Sequence, residues 1–123
     1  MRRLLADSGI VRNRAKVEAA IANARAATSL IAADDSLSHL IWSFAPKRRR
    51  APRHPADLPS TTPEATALAR ELKGRGFRFV GPTTAYALMQ ACGLVNDHLA
   101  GCAVRADVEG ERRRARGSVG GSP

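Results

Sequence analysis

Residues 61 to 93 have room for two short helices and very little else, and the way those helices must join restricts the fold more than any other feature of the chain. Thr61-x-x-Glu64 has capping-box spacing, Pro63 falls in a first helical turn where its missing N–H is harmless, and Leu68 and Leu72 recur one turn apart. Gly74 or Gly76 ends that helix. Phe77 to Gly81 then lead through Pro82 into a second helix, expected from Thr83 to Cys92 and stopped by Gly93. Two helices joined by so short a glycine-containing turn form a helix-hairpin-helix over 62–93. Backbone N–H groups in the turn and in the first turn of the second helix have no intrahelical acceptor, and the helix dipole adds positive potential there. Such a place suits a phosphate. The expected donors lie around Val80, Gly81, Thr83 and Thr84, with Pro82 unable to donate and Arg75 and Arg78 close by. Main-chain donors position a nucleic acid without reading its sequence. An ordinary αα-hairpin with a glycine C-cap accounts for the turn equally well.

The rest of the chain also reads as helix. Arg2 to Ala6 looks like a last helical turn stopped by Ser8-Gly9. A long helix is expected from about Arg12 to Ile31, with Val17, Ala20, Ile21, Ala24 and Ala27 on one face. Ser36 can cap a short helix through Phe44, whose apolar stripe is Leu37, Leu40, Ile41 and Phe44 with Trp42 beside it. Pro46 ends it, and the stretch PKRRRAPRHPADLP at 46–59 has no hydrophobic periodicity, which predicts an extended, exposed basic loop. Aromatic residues are only 4% of the chain while alanine recurs throughout, so closely packed small helices are expected rather than sheets. The fold class is all-α, with one helical domain over 1–104. Residues 105–123 are charged and then rich in glycine and serine, and are expected to be a disordered basic tail.

The net charge of +9 is concentrated. Lys47, Arg48, Arg49, Arg50 and Arg53 contribute five charges and Arg112, Arg113, Arg114 and Arg116 four, which is the entire excess. Basic clusters of this kind suit a polyanion such as nucleic acid, and solvated loop and tail charge is the plainer alternative. Near the start only Leu4-Leu5-Ala6 is apolar before Asp7, too short for a signal h-region or a membrane span, so no membrane partner is expected. Cys92 and Cys102 are too few for a secreted disulfide framework and are expected to be packed thiols or metal ligands.

The stretch KGRGFRFVGPTTAYALMQACGLVNDH at 73–98, followed by LAGC at 99–102, resembles the signature of the DNA-3-methyladenine glycosylase I family. DSGIVRNRAKVEAAIANAR at 7–25 and LIWSF at 40–44 are similar to that family as well, so the resemblance covers roughly residues 3 to 103. It implies a helix-hairpin-helix DNA glycosylase-like domain that hydrolyses the N-glycosidic bond of 3-methyladenine in double-stranded alkylated DNA, the first step of base-excision repair. A monomer in the bacterial cytoplasm is expected. Superfamily members typically carry a catalytic aspartate soon after the hairpin; the matching position is Asn96, with Asp97 a weaker substitute. The family's base-recognising glutamate and most of its stacking aromatics precede the position matching Arg2, so the resemblance implies an N-terminally truncated form in which no catalytic residue is assigned. It also implies a structural zinc held by two upstream ligands and by His98 and Cys102, a site that this chain alone would leave incomplete. Taken without the resemblance, His98-x-x-x-Cys102 reads as a packed His and Cys. A non-enzymatic hairpin remnant that binds DNA is the alternative function.

Overall fold

The computed structural model describes residues 1–120, and every regular element among them is helical. These are α1 (Arg2–Ala6), α2 (Arg14–Ala32), α3 (Leu37–Ser43), a 3-10 turn (Pro55–Asp57), α4 (Pro63–Gly74), α5 (Pro82–Ala91) and α6 (Arg105–Gly120). None is long and apolar enough to cross a membrane.

The starts of these helices follow their capping chemistry. Asn13 caps α2 by accepting from the Lys16 amide at 3.2 Å, and Ser36 caps α3 by accepting from His39 at 3.0 Å. The cap of α4 is Thr62, accepting from Ala65 at 3.2 Å, and not the expected Thr61. Proline is best accommodated as the first helical residue, so Pro63 places the cap immediately before itself.

Helices α4 and α5 pack face to face and form the centre of the core. Leu68, Tyr86, Met89 and Leu94 are its largest fully buried side chains, joined by Ala65, Ala69, Leu72 and Ala85. Each large side chain contributes about 1.5–3 kcal/mol by leaving water. The α3 stripe closes the far side as expected, with Leu40 buried and Leu37, Ile41, Trp42 and Phe44 packed against the cluster.

The α2 face differs from expectation. Val17 is buried, but Ala20 and Ala24 are exposed and Ile21 is half-buried, whereas Ala19, Ala26 and Leu30 are covered. The helix meets α3 through its C-terminal half, and its expected apolar stripe instead lines an open groove with Leu4 and Ile10. Periodicity identifies an apolar stripe but not which neighbour arrives to cover it.

Two further expectations are corrected. The basic loop is partly anchored: Pro52 is buried, its carbonyl accepts from Ala100 at 2.8 Å, and Asp57 accepts from the amides of Arg53 and His54 at 3.0 and 2.9 Å. Those amide contacts, His54 first, hold the Asp57 carboxyl below its ordinary value. The segment expected to be a disordered tail is helix α6 through residue 120; the expectation for 121–123 lies outside the described residues. Arg112 explains why. Its guanidinium donates to the carbonyls of Gly93 and Leu94, the latter at 2.8 Å, and meets Glu109 at 2.7 Å, while α6 lies along α3. Tertiary contacts thus stabilise a helix that its polar composition alone would leave marginal.

Burial works to raise the Glu109 carboxyl, but the hydrogen bonds from Arg112 and Asn96 outweigh it and leave the group below its ordinary value. Its contribution is therefore present above the ordinary glutamate range and is lost as pH falls through the lowered folded value. Glu109→Gln should destabilise the chain at pH 7, with the difference from the parent closing as the pH is taken below the carboxylate range. In urea denaturation at pH 7, Arg112→Ala should cost about 1.5–3 kcal/mol, the scale of hydrogen bonds to a charged group. Arg113→Ala, exposed and without an ion pair among the described residues, should stay within about 0.5 kcal/mol. Equal midpoints for the two arginine variants would mean that α6 is not docked.

Candidate nucleic-acid interface

The hairpin turn is shaped at both ends by backbone chemistry. At the end of α4, Gly76 adopts φ +93° and donates to the carbonyl of Lys73, while Phe77 donates back to Leu72, both at 3.0 Å. At the end of α5, Gly93 adopts φ +77° and donates to Gln90, and Leu94 donates to Met89 at 2.9 Å. Each is a Schellman closure, which needs a residue tolerant of the left-handed region and brings the following apolar side chain back onto the helix. Phe77 and Leu94 take that place and join the core.

Between these closures the turn is held from outside. The Asn23 carboxamide on α2 accepts from the Arg78 amide at 2.7 Å and donates to the Arg78 carbonyl at 3.2 Å. The chain therefore turns at a position fixed on both sides of one residue, through the two peptides that flank Arg78. Phe79 follows with φ +57°, uncommon for a residue with a side chain, and remains 64% exposed.

The expected donors are present together. Among the described residues the amides of Val80, Gly81, Thr83 and Thr84 have no intramolecular acceptor, and the first amide bonded back into the helix is Ala85, to Gly81 at 2.8 Å. Gly81 is the N-cap of α5 and provides no side-chain cap. Its φ of −92° is open to any residue, and a Cβ there would meet nothing within 4 Å. The glycine leaves open space beside the start of α5. Arg78 is exposed and has no ion pair among the described residues, so its charge is available beside them. Arg75 is not: it is held by Glu71 at 2.7 Å and Asp35 at 3.3 Å, and the Glu71 hydrogen bond leads the contacts that raise its already high pKa.

The basic loop reaches the second hairpin helix through one side chain. Arg49 donates to the Tyr86 hydroxyl at 2.7 Å, lies 5.7 Å from the ring centroid and is 3.5 Å from Asp97. Tyr86 in turn donates to Asp97, which also accepts from Gln90 at 2.9 Å. Burial pushes the Tyr86 phenol above its ordinary value, so it stays a donor. Asp97 therefore has three partners and serves as a structural junction. Asn96 is buried as well: it donates to the Arg105 carbonyl at 3.1 Å and to Glu109 at 3.2 Å, and accepts from His98 at 3.3 Å. Both side chains are engaged within the fold, Asp97 through two hydrogen bonds to Oδ2 and the Arg49 ion pair at Oδ1.

His98 and Cys102 are brought together, with Nδ1 and Sγ 3.7 Å apart. Two neighbouring ligands of a tetrahedral zinc, at about 2.0 and 2.3 Å from the metal, stand about 3.5 Å apart, so the pair is close to one edge of such a site. Among the described residues no group of three or more His, Cys, Asp or Glu gathers that could hold a metal.

Asn23 was not singled out from the sequence, and Arg112 was read only as one charge of a basic cluster. An asparagine inside an alanine-rich helix is a poor helix former, and that is the one signal Asn23 carries.

Known proteins share this arrangement. The family model described as methyladenine glycosylase matches residues 1–106. The DNA-3-methyladenine glycosylase 1 of Escherichia coli (strain K12) is 42% identical over 102 residues, covering 81% of this chain and 54% of that protein. The DNA-3-methyladenine glycosylase of Haemophilus influenzae is 42% identical over 98 residues, covering 78% and 53%. A crystal structure of 3-methyladenine DNA glycosylase I superposes with a TM-score of 0.77 at 44% identity, covering 83% of this chain and 57% of that one. The chain spans about half the length of the curated relatives it matches. With the match running through both helices of the hairpin and the segment that carries Asn96, His98 and Cys102, the chain belongs to the methyladenine glycosylase family.

Proposed function

We propose that the protein carrying this chain is a DNA-3-methyladenine glycosylase that acts as a monomer on alkylated double-stranded DNA in the bacterial cytoplasm. The observation that carries this reading is the run of free amides at Val80, Gly81, Thr83 and Thr84 in a family member whose relatives bear that activity in their names. The substrate base is cationic, so it is already a good leaving group, and cleavage develops charge on an oxocarbenium-like sugar. Strong acid assistance at Asn96 or Asp97 is not required, which agrees with both side chains being engaged internally. This chain's share of the work is to grip the backbone while the target nucleotide is turned out of the stack. The hairpin amides provide the grip, Arg78 adds charge beside them, and Asn23 holds the turn in place.

His98 and Cys102 would supply two ligands of a structural zinc, whose chemistry there is to cross-link the segment after α5 to whatever provides the remaining donors. That reading rests on their 3.7 Å separation.

Release of free 3-methyladenine from methylated duplex DNA, measured by chromatography, tests the activity, and absence of release by the whole protein that contains this chain would overturn it. For the hairpin, Gly81→Ala should leave the melting temperature nearly unchanged, since the new Cβ meets nothing. It should weaken duplex binding about tenfold by standing between amides and phosphate, a loss of about 1.4 kcal/mol. Asn23→Ala should lower both stability and binding, because the turn loses both of its fixed points. In the zinc-loaded protein, His98→Ala or Cys102→Ala should release the metal, read by elemental analysis, and lower the melting temperature. Unchanged metal content in both variants would remove the pair from the ligand set.

A further inference from the structure

The family match ends at residue 106, whereas α6 runs from Arg105 to Gly120, so most of this helix lies beyond what the family shares. It returns along the basic loop. Arg116 donates to the Pro46 carbonyl at 3.3 Å, and Arg105 donates to the carbonyls of Asn96, at 3.0 Å, and His98. Between the loop at 46–49, the Asn96–Asp97 segment and α6 lies a cavity of about 490 Å³.

Six cationic and two anionic side chains line it. Both carboxylates are matched, Asp97 by Arg49 at 3.5 Å and Glu109 by Arg112 at 2.7 Å. Four cations remain without an ion pair among the described residues: Lys47, Arg48, Arg105 and Arg116. The Arg105 guanidinium is held by carbonyls, which fix it in place without cancelling its charge. Like charges gathered around one concave space repel, and the arrangement is relieved by an anion entering it. No aromatic side chain lines the cavity, so it lacks the stacking surface that holds a base. Its chemistry is that of a phosphate site.

We propose that this cavity binds a backbone phosphate of the DNA as a second anchor, built jointly by Lys47 and Arg48 of the loop and Arg116 of α6. The hairpin amides open α5, and the Asn96–Asp97 segment that lines the cavity follows the end of that helix and folds back to Tyr86. The helix α5 from Pro82 to Ala91 lies between the hairpin amides and the Gly93–Asn96 segment. The helix α5 thus joins two grips on one strand. This inference rests on the proposed DNA-binding function, and the experiment separates the two.

The full chain is titrated with a fluorescein-labelled, undamaged duplex across a salt series, and with the same duplex in amide-resolved NMR. Each phosphate contact contributes about 0.9 to the slope of log K against log salt. Arg48→Gln and Arg116→Gln should each reduce the slope by about one, with Arg113→Gln, which does not line the cavity, leaving it unchanged. In the unsubstituted chain the duplex should shift the amide signals of Ala106 and Asp97 together with those of Thr83 and Thr84. Shifts confined to Thr83 and Thr84, with slopes unaltered in both variants, overturn the second anchor and leave the hairpin reading standing. No shift at either place overturns both. Inorganic phosphate at matched ionic strength that moves Ala106 as strongly as the duplex assigns the cavity to a free anion and overturns the strand assignment.

Discussion

The Tyr86 hydroxyl is the point on which the functional half of the molecule turns. Its ring is buried between α4 and α5, where the hairpin core needs a large side chain, and its oxygen emerges at the edge of that core. A hydroxyl brought so far from water needs partners, and it finds Arg49 as a donor and Asp97 as an acceptor. One buried aromatic residue thereby connects three segments far apart in sequence: the basic loop, the second hairpin helix and the segment that follows it. Asp97 completes the junction through Gln90 and the Arg49 ion pair. Buried polar networks of this type are costly when half satisfied and rigid when complete, and no buried side-chain polar atom among the described residues lacks a partner.

Helix α6 extends the same logic to carbonyls. The segment 93–98 leaves α5 through a Schellman closure and then has no regular structure, so its C=O groups must find donors elsewhere. Arg112 satisfies those of Gly93 and Leu94, and Arg105 those of Asn96 and His98. Guanidinium groups suit the task because one planar fork reaches two acceptors. The arginines of 105–116 thus divide into those that bond main-chain carbonyls of other segments, Arg105, Arg112 and Arg116, and Arg113 and Arg114, which remain exposed on the helix. A cluster that looks uniform in sequence has two physical roles.

How far the sequence carried can be seen residue by residue. The two hairpin helices, their glycine closures and the free amides were legible because each depends on neighbours a few positions away: Pro63 and Pro82 open the helices, Gly76 and Gly93 end them, and the orphan donors follow from helix geometry. The cap at Thr62 instead of Thr61 is an error of one position within the same local chemistry. The apolar stripe of α3 was legible for the same reason. Arg75 was not, since a charge beside the turn looks available until Glu71 and Asp35 are seen to hold it.

What the sequence by itself determined is the all-helical class, the hairpin and its run of unpaired amides, because helix starts, stops and orphan donors are set by short-range sterics and hydrogen bonding. The family resemblance in the residues around the hairpin pointed to the same architecture, and the comparisons agree with it. Only the tertiary structure decided which face of α2 is covered, that Asn23 fixes the turn from 55 positions away, that the basic loop is anchored through Arg49, and that residues 105–120 are a docked helix. Those outcomes depend on which surfaces meet, and contacts between distant segments leave no periodic trace along the chain.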